Sequence, residues 1–153
     1  LVSDAERGLG RPEKAIEIAR SADGRALAGE DAIELAIVEA GAHLDLGDPE
    51  AGMRVLEEQD LQVGRTGTDA ARLFSTYASA LEAAGRRAEA VSWYQNAAAA
   101  DVDDATDAEY RIAELLAEGV DLTPVRAADT VVDDAQAPLV AGYDALLWDL
   151  DGT

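Results

Sequence analysis

Asp149 and Asp151 stand one residue apart near the close of "YDALLWDLDGT", residues 143–153, with Gly152 and Thr153 after them. The apolar run Ala145 to Trp148 leads into them without alternation, which suits a strand buried on both faces of a parallel sheet. Such sheets place their ligands at the C-terminal ends of their strands, where both carboxylates would fall. Other candidates for chemistry are weaker. The stretch "DVDDATDAE" (101–109) lacks the glycine a calcium loop needs at its sixth position, and "DLDG" carries its glycine too early. A solvated, capped helix start is the better reading of 101–109. His43, the single histidine, sits in a helical segment facing its hairpin partner and reads as a packed structural residue. Trp93 beside Tyr94 reads as core and rim packing.

The ending resembles the first motif of the haloacid dehalogenase (HAD) superfamily, an apolar strand followed by Asp-x-Asp-Gly-Thr. That resemblance implies a Mg2+-dependent phosphatase acting on a phosphorylated small molecule. Asp149 would be the nucleophile that accepts the phosphoryl group, and Asp151 the acid/base that protonates the leaving oxygen. Two carboxylates so close would repel a phosphate. The family resolves this with Mg2+, held partly by the Asp149 carboxylate and the Asp151 backbone carbonyl. The family also needs a downstream Ser/Thr, a Lys and further acidic ligands. The expectation is therefore a chain that stops after the first strand of such an enzyme and is by itself inactive.

The elements before that strand are of another kind. The chain has 153 residues, 48% hydrophobic but only 5% aromatic, enough for one modest core of small aliphatic side chains. With 32 acidic against 12 basic residues, the net charge of −20 opposes approach to nucleic acid or an anionic membrane face. No run comes near the roughly 18 apolar residues that span a bilayer. Cysteine is absent, so disulfides and thiolate metal sites are excluded and the cytoplasm is the default compartment.

Three stretches align with one another: "GLGRPEKAIEIARSA" (8–22), "DLGDPEAGMRVLEEQ" (45–59) and "EAAGRRAEAVSWYQNAA" (82–98). Their glycines, Gly10, Gly47 and Gly85, lie 37 and 38 residues apart. Five residues after each comes Ala15, Gly52 or Ala90, and nine after it Ala19, Leu56 or Tyr94. Each glycine is predicted to end one helix just before the next begins, with Asp48 as an N-cap, Pro49 in the first turn, and Arg11-Pro12 repeating that arrangement without the carboxylate. Ile33, Ile37, Ala40 and Leu44 share one helix face, and Phe74, Tyr77, Ala78 and Leu81 another.

These residues resemble the tetratricopeptide repeat (TPR), most clearly at 71–104, where Phe74, Tyr77, Ala78, Leu81, Gly85, Ala90, Tyr94 and Ala97 fall at the pattern's bulky, small and turn positions. Val102 replaces the usual proline. The second unit departs from the pattern at Glu39, Gly52 and Gln59 and carries about four extra residues in its loop. The fold predicted is an all-α TPR-like helix-hairpin solenoid over 1–118, with hairpins at about 1–24, 31–60 and 69–101. A capping helix follows at 106–118, opened by a capping box from Thr106 to Glu109. An acidic linker occupies 119–143, and 144–153 begins the α/β domain.

The resemblance also implies a groove that binds a protein or peptide ligand. Glu34, Ile37, Gly41, Leu44 and Asp45 would line it beside Arg72, Ser75, Ser79 and Glu82. The Lys and Asn of a carboxylate clamp are absent, which disfavours acidic chain ends, and Arg72 is the one basic residue in the set. The leading function is an interaction or scaffold domain attached to a phosphatase. The alternative is a free-standing interaction or self-association protein, such as a homo-oligomer, with no enzymatic part.

Overall fold

Helix-forming runs broken by glycine dominate the computed structural model, which describes residues 2–123. Every element among the described residues is a helix: α1 (Val2–Gly8), α2 (Pro12–Ala19), α3 (Ala22–Arg25), α4 (Glu30–Asp45), α5 (Pro49–Glu57), α6 (Thr68–Ala83), α7 (Arg87–Ala100) and α8 (Ala108–Ala117). The all-α expectation holds over this span. The helices up to residue 121 form one compact unit. The expected strand at 145–148 and nearly all of the expected linker lie outside the described residues.

Helices pair in order of sequence: α1 on α2, α4 on α5, α6 on α7. Each pair also packs on the next, through α2 and α1 against α4, through α5 and α4 against α6, and through α7 against α8. The turn inside each pair is the same. Gly10, Gly47 and Gly85 have φ of 76°, 78° and 84°, a left-handed conformation that costs an L-residue energy and glycine almost none. The amide of each glycine bonds three residues back, and the amide after it five back: Gly47 N to Leu44 O and Asp48 N to His43 O, both at 2.9 Å. This Schellman closure satisfies carbonyls that the helix end would leave orphaned. Gly119 (φ 84°) closes α8 in the same way, 34 residues after Gly85. After Gly47, Asp48 accepts from Ala51 N at 3.1 Å and Pro49 enters the first turn.

Small residues let the paired helices approach. Ala15, Gly52 and Ala90 are buried, and a Cβ on Gly52 would lie 3.1 Å from the Ala40 carbonyl oxygen. The main core gathers Leu56, Leu73, Phe74, Leu81, Tyr94 and Leu115, with Trp93 tilted against Phe74 (5.5 Å between ring centroids) and edge-on to Tyr77 (5.1 Å). Burying each of the larger side chains contributes about 1.5–3 kcal/mol.

Three local expectations are corrected. The Thr106–Glu109 capping box does not form. Asp101 takes the Ala105 and Thr106 amides (2.8 Å each) and the Thr106 hydroxyl (2.7 Å), and α8 starts at Ala108. The helix after Gly10 does not run unbroken to 24. Ser21 accepts from Gly24 N and donates to Ile18 O at 2.7 Å, which ends α2 and starts α3, side-chain competition typical of serine. The buried His43 ring meets Arg20 beyond the end of α2, at 3.2 Å, so its polar contact is with the preceding pair rather than with α5.

Candidate functional site

The residues expected to line a groove all lie on α4 and α6, which pack against each other. Helical spacing puts Glu34, Ile37, Gly41, Leu44 and Asp45 along α4, and Arg72, Ser75, Ser79 and Glu82 along α6. All but Gly41, which is buried, and Asp45, which is exposed, are half-buried.

Most of their polar groups already have partners within the domain. Arg72 donates to both oxygens of Glu34, at 2.6 and 2.7 Å, a forked geometry with two parallel bonds. From α1, Arg7 lies over Gly41 and donates to both oxygens of Asp45, at 2.7 and 3.3 Å. From α8, Arg111 bonds Glu82 and Glu114. The Tyr94 hydroxyl lies 3.0 Å from Ser79 Oγ and donates to Glu82 at 3.1 Å. Hydrogen bonding to Glu82 and Tyr94 holds the Arg111 guanidinium further into its charged form, while burial pushes the Tyr94 phenol up. Three arginine–carboxylate clasps thus join α1 to α4, α4 to α6, and α6 to α8.

Arg72 was the one residue expected to hold an acidic peptide, and Glu34 occupies its fork. Of the uncharged residues, Gly41 lies under Arg7 and Ser79 meets the Tyr94 hydroxyl, which leaves Ile37, Leu44 and Ser75. Arg7 and Arg111 escaped the sequence reading. For the central clasp a signal existed, since Glu34 and Arg72 each stand 13 residues before a turn glycine and so share a register in successive units.

Asp149 and Asp151, expected to act on a phosphoryl group and to hold Mg2+, lie outside the described residues. Among the described residues no group of three or more His, Cys, Asp or Glu is placed to hold a metal ion, and no helix is long and apolar enough to cross a membrane. Compared with protein-family profiles, curated proteins and solved structures, the chain finds no match.

Proposed function

We propose that the helical part is a TPR-like protein-interaction solenoid, and that residues 144–153 open a HAD-type phosphatase to which it is attached. The observation that carries the first half is the repeated Schellman closure at Gly10, Gly47, Gly85 and Gly119, with each described helix pair packed chiefly on its neighbours in sequence. That order of contacts is what a stack of hairpins requires. The internal clasps favour a peptide that offers apolar side chains to Ile37 and Leu44 rather than an acidic one. Partner capture from host lysate by the whole chain should fall in Ile37→Glu and Leu44→Glu, provided circular dichroism shows both folded, and persist in Arg54→Ala. Equal capture by all of them would place the interaction elsewhere.

The phosphatase half rests on the motif at 149–153 alone. In the longer chain it calls for, Asp149→Asn should abolish Mg2+-dependent hydrolysis of p-nitrophenyl phosphate at unchanged melting temperature, and Asp151→Asn should impair leaving-group protonation. The reading places the protein in the cytoplasm. Self-association is favoured by one feature, the exposed Tyr110 (63%) and Leu116 (45%) on α8. Sedimentation should then show a dimer that Tyr110→Glu disperses.

A further inference from the structure

A cleft of about 380 Å³ opens between the first two helix pairs, away from the clasps, lined by Ala19, Arg20, Arg25, Glu39, Val55 and Glu58. An adjoining hollow of about 220 Å³ shares most of these walls and adds Leu27 and Leu35. The cleft exists because the second helices of these pairs fall short. α7 runs 14 residues, whereas α2 stops after 8 and α5 after 9. Past Ala19 the chain is turned aside into α3, with Gly24 so close to the Ala19 carbonyl that a Cβ there would lie 2.3 Å from its oxygen.

The residue facing the cleft from α4 is equally out of pattern. Glu39 stands eight residues before Gly47, the register that Tyr77 holds before Gly85. Tyr77 fills its space with a ring packed on Trp93. Glu39 puts a carboxylate there instead, with only 13% of its side chain exposed, and accepts from Arg20 Nε at 2.6 Å. His43 lies beside this pair, its Nε2 3.2 Å from Arg20 and 3.8 Å from Glu39.

Arg20 and Glu39 neutralise each other. Arg25 and Glu58 do not: neither has an ion pair among the described residues, though both line the same cleft. An unpaired cation and an unpaired carboxylate therefore face one space whose remaining wall is Ala19, Val55 and the Arg20–Glu39 pair. We infer that the cleft between α2–α3 and α4–α5 binds a small zwitterion of the amino-acid type, its carboxylate on Arg25, its ammonium on Glu58 and an aliphatic side chain against Val55 and Leu27. Pockets of this size are at the small end of those that hold ligands, which suits a single amino acid rather than a cofactor. The site is independent of the α4–α6 face and of the HAD motif.

The test uses the whole chain, labelled with 15N, and L-leucine as probe. Saturable shifts should appear at the amides of Arg25, Val55 and Glu58. N-acetyl-L-leucine, which lacks the ammonium, and L-leucinamide, which lacks the carboxylate, should each bind about tenfold more weakly, since each loses one charge-assisted contact. Arg25→Ala should weaken leucine by about the same factor and leave leucinamide unchanged, and Glu58→Gln should do so for leucine but not for N-acetyl-leucine. Both side chains are exposed, so melting temperature should stay as in the parent chain. No saturable shift at those amides up to about 10 mM, or equal binding of all three compounds, overturns the proposal.

Discussion

Tyr77 shows how one side chain in this fold answers to pH. Its hydroxyl donates to Glu57 at 2.8 Å, and its ring is packed under Trp93. Burial first, then the Glu57 carboxylate, push the phenol up to about 12 from an ordinary value of 10. A raised folded pKa favours the neutral phenol, so the contribution is complete below pH 10 and disappears as pH rises through about 12. Two units correspond to roughly 2–3 kcal/mol. Absorbance titration near 295 nm should show one tyrosine ionising only with loss of helical circular dichroism. In Tyr77→Phe, stability should fall at neutral pH but change less between pH 10 and 12. A Tyr77 phenol, identified as the amplitude that Tyr77→Phe removes, that ionised near pH 10 with the helices intact would contradict this environment.

Arg72 belongs to the same scale, because its meaning changed once its neighbours were known. As a solitary base it was a hook for an acidic ligand; paired with Glu34, it joins two helices. Both side chains are about a third exposed, at 39% and 32%, so solvent screens the pair, but its two-bond geometry keeps it above a typical surface ion pair. Arg72→Ala and Glu34→Ala should each lower stability by about 1 kcal/mol, and the double substitution by little more than either alone. Thermal unfolding of the four species would show the coupling; strict additivity would mean the pair contributes nothing.

At the level of elements, the turns were legible and the breaks were not. A helix stop built on a left-handed residue leaves a glycine in the chain, and repetition at 37 and 38 residues marks three of them in the sequence itself. Gly119 obeys the same rule, but the acidic stretch beyond it has no helical period to draw attention to it. The split of α2 from α3 depends on one serine hydroxyl reaching Ile18, and nothing in composition separates that serine from one facing solvent. The α8 start differs from the expectation because Glu109 and Asp101 are both candidate acceptors for the Thr106 amide, and Asp101 reaches it. Held by the Thr106 hydroxyl and the Ala105 amide, the Asp101 carboxyl titrates below the usual range. The closures themselves can be tested. At Gly85 nothing lies within 4 Å of an added Cβ, so Gly85→Ala tests the backbone alone. With φ at 84° it should cost about 1–2 kcal/mol. Gly8→Ala is the control, because it lies in α1 without a left-handed φ, a Cβ there meets nothing within 4 Å, and it gains helix propensity. Gly85→Ala should melt well below the parent and Gly8→Ala close to it; similar melting of the two would mean the closures are not strained.

For the molecule as a whole, the sign of the salt dependence follows from charge bookkeeping. Most described arginines are already clasped to carboxylates, as with Arg7, Arg20, Arg72, Arg86 and Arg111, yet 32 acidic residues face only 12 basic ones. Even with every base paired, the chain keeps an excess of 20 carboxylates. Their mutual repulsion acts between charges far apart, and it is screened first, since the Debye length falls from about 30 Å at 0.01 M to about 10 Å at 0.1 M salt. The clasps act over about 3 Å and survive that change. Raising NaCl from about 0.01 M to about 0.5 M should therefore raise the melting temperature, steeply at first and then more slowly. Arg72→Ala should show a rise at least as large, having lost an attraction and kept the excess. A melting temperature that fell over this range would mean that the clasps outweigh the repulsion, and that the stack is held chiefly by its ion pairs rather than by the alanine, leucine and aromatic core between its helices.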